Sequence, residues 1–522
     1  MQGKSSAVSH QPFANWKRLD VFVVALIIVI AIGARLLPGP RNVDDSFITF
    51  RYSRNILEGN GFVYNPSARV LGTTTPLFTL LMSGAAAVAN GRDFPAYAII
   101  VSAVADAANA VLLFLLMRRL TKNLLPAALI GLLWAIAPQS VTFAVGGMET
   151  SVNIFWILAA LYCYLSDRDW LLGLCIGLGF LTRIDALLWI GPLLLHQLYL
   201  RFRVRGAIPL KTWIGAAAVV LPWLAFAYLY FGTIIPQSVT AKSVTYFLAP
   251  GSAFVTLLQN FGTPFSEEKT LGGAFIFLFF TYVALLVIGI IYAVRRESRL
   301  LPWLLYPFVY GAVFSIINPL VFRWYVVPPL PAIFFALVVG VWAVLSNLFG
   351  RRANQRVVLR FGFAAVGLFW ISTSLNAWTL HPDHGLDRPA PQMAWHKIEL
   401  YYRQMADDLV QKYGVGPASR IVAADIGVVG YVTNAQILDT VGLVSPEVAK
   451  YYPYARALVI DGQNYAVPPA IVRDARPEFA VFMESMVRNG LARDPDFIAN
   501  YEQVRFIPTD FYGTGMLLYK RR

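Results

Sequence analysis

The sequence predicts an α-helical polytopic membrane protein of about eleven spans, with a C-terminal extracytoplasmic α/β domain. Three observations carry this. Of 522 residues, 57% are hydrophobic and 14% charged, too little polar surface to cover a soluble core of this size. Apolar runs of about 18 residues or more recur along the chain, the length that crosses a hydrocarbon layer. Lys/Arg clusters occupy every second loop between those runs, as positive-inside sorting requires.

The first span, residues 21–34, follows Lys17 and Arg18. It ends at Arg35-Leu-Leu-Pro-Gly-Pro rather than at a small-x-small cleavage site, so it reads as an uncleaved signal anchor with a cytoplasmic N-terminus. A long outer loop, residues 39–94, follows. Inside it residues 76–89 are apolar but too short to span. Thr73-Thr74-Thr75 is placed to cap this stretch and Pro76 suits a first helical position, which predicts an interfacial helix.

Spans at residues 95–116 and 124–145 are joined by Arg118, Arg119 and Lys122 on the inner side. Residues 151–165 return to Asp167-Arg168-Asp169. Residues 170–181 and 186–200 are short, compatible with half-spans meeting at a buried outer turn at Arg183 and Asp185. Residues 213–231 lead into a second outer loop, 232–272, and 274–294 return to Arg295, Arg296 and Arg299. Residues 301–317 exit at Asn318-Pro319, 326–348 return to Arg351, Arg352, Arg356 and Arg360, and 361–378 exit last.

From His381 onward Pro, Asp, Arg and Gly occur at soluble frequencies. Residues 1–380 are therefore expected to form the membrane domain and 381–522 an extracytoplasmic domain. Residues 399–412 read as an amphipathic helix, and 420–424, 436–440 and 479–483 as strands. Residues 503–507 and 516–519 read as a terminal hairpin. By span parity this domain lies outside, and the chain is expected in the bacterial inner (plasma) membrane. The net charge of +14 sits in the topology-setting loops, so no nucleic-acid partner is implied. Cys163 and Cys175 both lie in apolar segments and suggest neither a disulfide framework nor a Cys-based metal site.

The first outer loop opens with two adjacent carboxylates, Asp44 and Asp45. A helix is expected to run from them to Gly59, a good C-terminal stop, with Phe47, Phe50 and Leu57 near helical spacing. Such a helix is expected to lie flat on the membrane surface. Asp44 as a helix cap and Asp45 as a first-turn charge is one reading. The other makes one acid the base that deprotonates an acceptor hydroxyl, with the second orienting it or holding a cation.

A set of motifs bears on that choice. Asp44-Asp45 is followed by Glu58-Gly59-Asn60-Gly61-Phe62-Val63-Tyr64-Asn65-Pro66 and Gly72-Thr73-Thr74-Thr75-Pro76-Leu77. Further on come Gly147-Met148-Glu149-Thr150, Leu181-Thr182-Arg183-Ile184-Asp185, Arg323-Trp324-Tyr325 and the stretch 427–443. In this order they resemble the GT-C superfamily of polyprenyl-phosphate-dependent glycosyltransferases, and within it the branch that includes bacterial arabinofuranosyltransferases. The resemblance covers most of the chain and is weak for the sugar. It implies an acid after the first span as general base, here Asp44 or Asp45, with Asp44 expected to be the base because it leads the pair. It also implies a polyprenyl-phosphate sugar donor, an extracytoplasmic glycan or glycoprotein acceptor, and membrane lipid as surroundings.

Glu149, in the loop after the third span, is the place where related enzymes often carry a second acid that holds a cation or the donor. Lys242 and Arg323 lie on the outer side, against the positive-inside pattern, and a phosphate leaving group needs cationic partners. Lys242, Arg323, Glu149 and Arg51 are therefore assigned to donor and phosphate binding. Arg183 and Asp185 read as a neutralising pair. A divalent cation (Mg2+, Mn2+ or Ca2+) through Asp45 and Glu149 is left open, since no motif compels one. His381, His384 and His396 lack metal-ligand spacing. Gly427-Val428-Val429-Gly430 is no dinucleotide fingerprint and no Walker A motif occurs. The rival class is a lipid-linked sugar flippase without transferase chemistry, disfavoured because charges sit at the outer rim and no repeated halves are visible.

Overall fold

The computed structural model describes residues 17–205, 208–262, 264–265, 274–350, 355–376, 394–509 and 513–522. Every expected span overlaps a described helix, with 124–145 divided between two and residues 377–378 of the last span outside the described residues. Helix α1 is Arg18–Leu36, α2 is Asp44–Leu57 and α3 is Pro76–Ala89; beyond them come Phe94–Thr121, Thr150–Leu165, Leu210–Phe231, Leu330–Phe349 and the others. Seven described helices are long and apolar enough to cross a membrane, or eight with one bent pair. That pair, Leu124–Ala135 and Pro138–Val145, meets at 41°, and Pro138, which has no N–H to donate, sits at the break. The protein is a multi-pass membrane protein. The expected number of spans, about eleven, is reached only by counting Thr150–Leu165, Asp169–Thr182 and Leu187–Arg205. The domain boundary at 380/381, together with His381 and His384, lies outside the described residues, as does the side chain of His396.

Arg35 and Asp106 form a fully buried ion pair at 3.0 Å. Ser140 and Ser151 also donate to Asp106, and Arg35 donates to the carbonyl of Ala135. One carboxylate thus ties α1, Phe94–Thr121, both sides of the bent pair and Thr150–Leu165. Burying a charge is costly unless it is paired and hydrogen-bonded, and every oxygen here has donors.

The C-terminal region carries a five-stranded sheet: β1 Arg420–Ala423, β2 Gln436–Asp439, β3 Phe479–Met483, β4 Tyr501–Pro508 and β5 Gly515–Arg521. Its order is β2-β1-β3-β5-β4. β1 pairs parallel with β2 and β3, while β5 runs antiparallel to β3 and β4. The expected helix at 399–412 appears as Ala394–Tyr413.

Helix α2 departs from expectation. It is packed within the protein rather than exposed along one face; Asp44, Phe47, Phe50, Arg51, Tyr52, Ser53 and Asn55 are all buried. Its aromatic residues share one apolar core with Phe78 and Met82 of α3 and with Val422, Val428, Val481 and Leu518 of the sheet region. Its polar face is satisfied internally. Ser53 donates to the carbonyl of Thr79 (2.9 Å), and Asn55 to those of Val63 and Tyr64 (2.8 and 2.9 Å). Burial of Phe47 and Phe50 contributes about 1.5–3 kcal/mol each. The helix stops as expected, with Gly59 at φ 79° just beyond its C-cap. Helix α3 starts at Pro76, but Thr75 makes no side-chain cap; the Thr73 hydroxyl instead accepts the Thr75 amide.

Candidate active site

The acid pair divides by helix geometry. Asp44, Phe47, Arg51 and Arg54 recur at helical spacing on α2 and face the C-terminal region. The Asp44 carboxylate accepts the backbone N–H groups of Gly427 (2.9 Å) and Val428 (2.8 Å), at the start of the helix Gly427–Thr433. Arg51 donates to Ala435 O (2.6 Å) and Asn65 Oδ1 (3.3 Å) and lies over the Tyr64 ring at 4.2 Å. Arg54 donates to Tyr431 O and Asn434 Oδ1. Asp45 is one position round the helix and half-buried, on the side of Lys242.

Gly427 is where it is because a Cβ there would collide with the Asp44 backbone, and one at Gly430 would strike the Tyr64 hydroxyl. The Gly-x-x-Gly spacing thus serves close packing of α2 against the C-terminal region.

Burial pushes the Asp44 carboxyl well above the usual carboxylate range, and the nearby charges of Asp425 and Asp45 add to this against the pull of the two amides. Burial also raises Asp45, opposed by Lys242. At Lys242 burial works against the charge, but Tyr325 and Asp45 outweigh it and the shift is upward. A carboxylate and an ammonium are thus held in mutual range.

Lys242 lies in the last turn of Gln237–Thr245, and its Nζ sits 4.7 Å from the Phe322 ring centroid. Phe322 stacks on Trp324 (4.7 Å, 11°). Arg323, between them, is exposed. Tyr325 then connects to a second cluster, since the Arg183 guanidinium lies 4.9 Å from its ring centroid. Arg183 forms ion pairs with Glu149 (2.6 Å) and Asp185 (2.8 Å), and Tyr310 donates to Asp185 at 3.3 Å. The expected Arg183–Asp185 pair is present, with Glu149 as its third member.

The expected site residues therefore sort into three places. Asp45 and Lys242 are in electrostatic range of one another, and Phe322, next to Arg323, lies against Lys242. Glu149 is 4% exposed and spent on Arg183. Arg51 is fully buried, packed on the Tyr64 ring and donating to Ala435 O. The residues present do not fit a cation held jointly by Asp45 and Glu149, because the Glu149 carboxylate already carries a guanidinium. Among the described residues, no group of three or more His, Cys, Asp or Glu side chains is placed to hold a metal ion.

Three members were not legible in the sequence. Asp425 of the C-terminal region lies within electrostatic range of Asp44 and Asp45, and Tyr402 donates to it at 2.8 Å. Tyr246 lies in the field of Asp45 and Asp425. Tyr325 appeared within a motif, but without a role.

Residues 392–519 match a family model described as a domain of unknown function, DUF8728. Among curated proteins none matches significantly by sequence. Among solved structures, ArnT from Cupriavidus metallidurans bound to undecaprenyl phosphate is similar over 96% of this chain and 97% of its own, with TM-score 0.54 and 13% identity. The overall path of the chain is therefore that of ArnT. This is the GT-C fold. Apo ArnT from the same organism matches with the same figures. Arabinofuranosyltransferase AftD from Mycobacteria matches 97% of this chain but 40% of its own, at TM-score 0.46 and 13% identity.

Proposed function

We propose that the chain is a membrane glycosyltransferase that moves a sugar from a polyprenyl-phosphate donor to an extracytoplasmic glycan or glycoprotein acceptor. The observation that supports this most is the half-buried Asp45 held in range of Lys242 in a GT-C fold. A base beside a cation is what transfer with a phosphate leaving group requires. Asp45 takes the proton of the acceptor hydroxyl, and the acceptor oxygen attacks the anomeric carbon. The bond from that carbon to the phosphate oxygen breaks, and the lipid phosphate leaves with the electron pair toward Lys242 and Arg323. A single displacement inverts the anomeric carbon.

Asp44, with both oxygens on backbone amides, positions α2 rather than accepting the proton. Glu149 acts through Arg183, which it orients beside Tyr325. ArnT, of like fold, is seen with undecaprenyl phosphate, which supports a lipid phosphate as donor carrier here. The Lys/Arg distribution supports a cytoplasmic N-terminus and a C-terminal domain, residues 381–522, outside the plasma membrane of a bacterium. The motif resemblance makes arabinofuranose the first sugar to test.

The test uses purified protein and a panel of labelled polyprenyl-phosphate pentoses and hexoses. Acceptor-dependent release of polyprenyl phosphate is expected for one donor. Movement of intact lipid-linked sugar across vesicles, with no release, would make the protein a flippase instead.

A further inference from the structure

A basic pocket that the proposed reaction does not use lies at the far end of Phe94–Thr121 from α2. Phe94, the first residue of that helix, stacks on Phe50 of α2 (5.9 Å, 16°). The helix then runs 28 residues, about 42 Å at 1.5 Å per residue, to Lys122. There it meets the ends of Thr150–Leu165 and Ala274–Arg296 around a pocket of roughly 260 Å³. Four leucines make the apolar wall, and Arg119, Lys122, Arg296 and Glu297 the polar side. Three cations thus face one carboxylate, and that carboxylate is already shared. Arg299 forms an ion pair with Glu297 at 3.0 Å and Arg119 at 3.5 Å. Arg119 also donates to the carbonyl of Leu165 at 2.8 Å, so it serves a helix end as well. Lys122 and Arg296 are exposed, and among the described residues neither forms an ion pair. Arg296 lies on the Tyr292 ring at 4.3 Å, which holds the guanidinium without neutralising it. Lys122 has φ 56°, a conformation that glycine takes without strain, and yet a long cation stands there.

We propose that this pocket binds a phosphate ester between Lys122 and Arg296, and that its occupant is the headgroup of an anionic phospholipid. Phe94–Thr121 and Ala274–Arg296 are each long and apolar enough to cross a membrane, so their shared end lies at a membrane surface, where such headgroups are concentrated. On the topology proposed above, that surface is the cytoplasmic one. The pocket is smaller than those that enclose drug-sized ligands, so it admits a headgroup and leaves the acyl chains in the bilayer. The two cations take the phosphate oxygens in charge-assisted hydrogen bonds, and the leucine wall takes the glycerol carbons. Basic residues also complement the negative ends of helices. Arg118 and Arg295, in the same last turns, already do so without lining the pocket, which leaves Lys122 and Arg296 surplus to that role.

The experiment titrates purified full-length protein with phosphatidylglycerol or phosphatidylcholine and counts bound lipids by native mass spectrometry. One saturable phosphatidylglycerol site is expected, with phosphatidylcholine about ten-fold weaker because its choline cancels the phosphate charge. Lys122→Gln and Arg296→Gln should each weaken phosphatidylglycerol binding about five-fold, and the double variant about 25-fold. Arg295→Gln removes the same charge from beside the pocket rather than from its lining, and should stay within about two-fold of native affinity. Melting temperatures measured in parallel separate lost binding from lost folding. Equal losses in Arg295→Gln and Arg296→Gln would mean diffuse attraction to a basic surface. Native affinity in the double variant would mean cations that serve only helix ends or topology. Either result overturns the proposal. A second arm adds soluble glycerol phosphate. Displacement of phosphatidylglycerol only at large excess supports the lipid as occupant, whereas saturable binding of glycerol phosphate with none of phosphatidylglycerol overturns it in favour of a free phosphate ester. No readout uses turnover, so the outcome stands apart from the transferase reading.

Discussion

Asp44 and Asp45 are chemically identical neighbours, and one step of 100° round α2 separates their environments. Asp45→Asn keeps size and helix propensity but removes the proposed base, so turnover is expected to fall by about two to four orders of magnitude with the melting temperature unchanged. Asp44→Asn leaves one oxygen to accept two N–H groups and turns an amide donor toward the other. It is expected to cost about 1–3 kcal/mol of stability, with a smaller loss of turnover. Thermal unfolding and transfer assays on both variants check this; the reverse pattern would hand the base to Asp44, as its leading place in the pair suggests. Lys242→Ala and Arg323→Ala are each expected to lose a charge-assisted phosphate contact. That is about ten- to hundred-fold in rate with the lipid donor, at native stability; unchanged kinetics would leave both as interface charges. Asp45 and Lys242 were legible because they break local patterns: a second acid beyond what a cap needs, and a cation on the outer side. Arg51 was not, because its partner carbonyl on Ala435 is 384 residues away and nothing local signals it.

Among elements, the apolar helices and the five strands were read from periodicity within a few residues, since burial of one face leaves that trace in the sequence. The position of α2 left no such trace. Its polar face is buried as deeply as its apolar face, and periodicity reports polarity, not depth. The short helix Gly427–Thr433 escaped for a related reason: seven residues make too few turns for a pattern. Asp106 was also missed, as the one acid inside a 28-residue helix otherwise rich in apolar residues. Because four elements converge on its carboxylate, Asp106→Ala should strand Arg35 as a buried unpaired charge and cost about 3–5 kcal/mol. Thermal unfolding in detergent measures this. The double variant Arg35→Leu/Asp106→Leu should recover much of the loss, since no charge is left unpaired.

At the scale of the molecule, the Lys/Arg alternation predicts that alkaline phosphatase fused after Arg522 is active in a bacterial host, while green fluorescent protein fused there stays dark. The opposite result would invert the topology and move the site to the other side of the membrane. The clasp between Asp44 and the amides of residues 427 and 428 also has a consequence in time. It joins positions 383 residues apart, which at ~5–20 residues per second emerge from the ribosome roughly 20–80 s apart. During that interval the remaining membrane helices are made and inserted, yet α2 lacks the surface that buries it. On the transferase reading proposed above, activity would wait for the last quarter of the chain to fold against α2, and a chain that stalls before then would be inert in the membrane rather than an unregulated consumer of lipid-linked sugar.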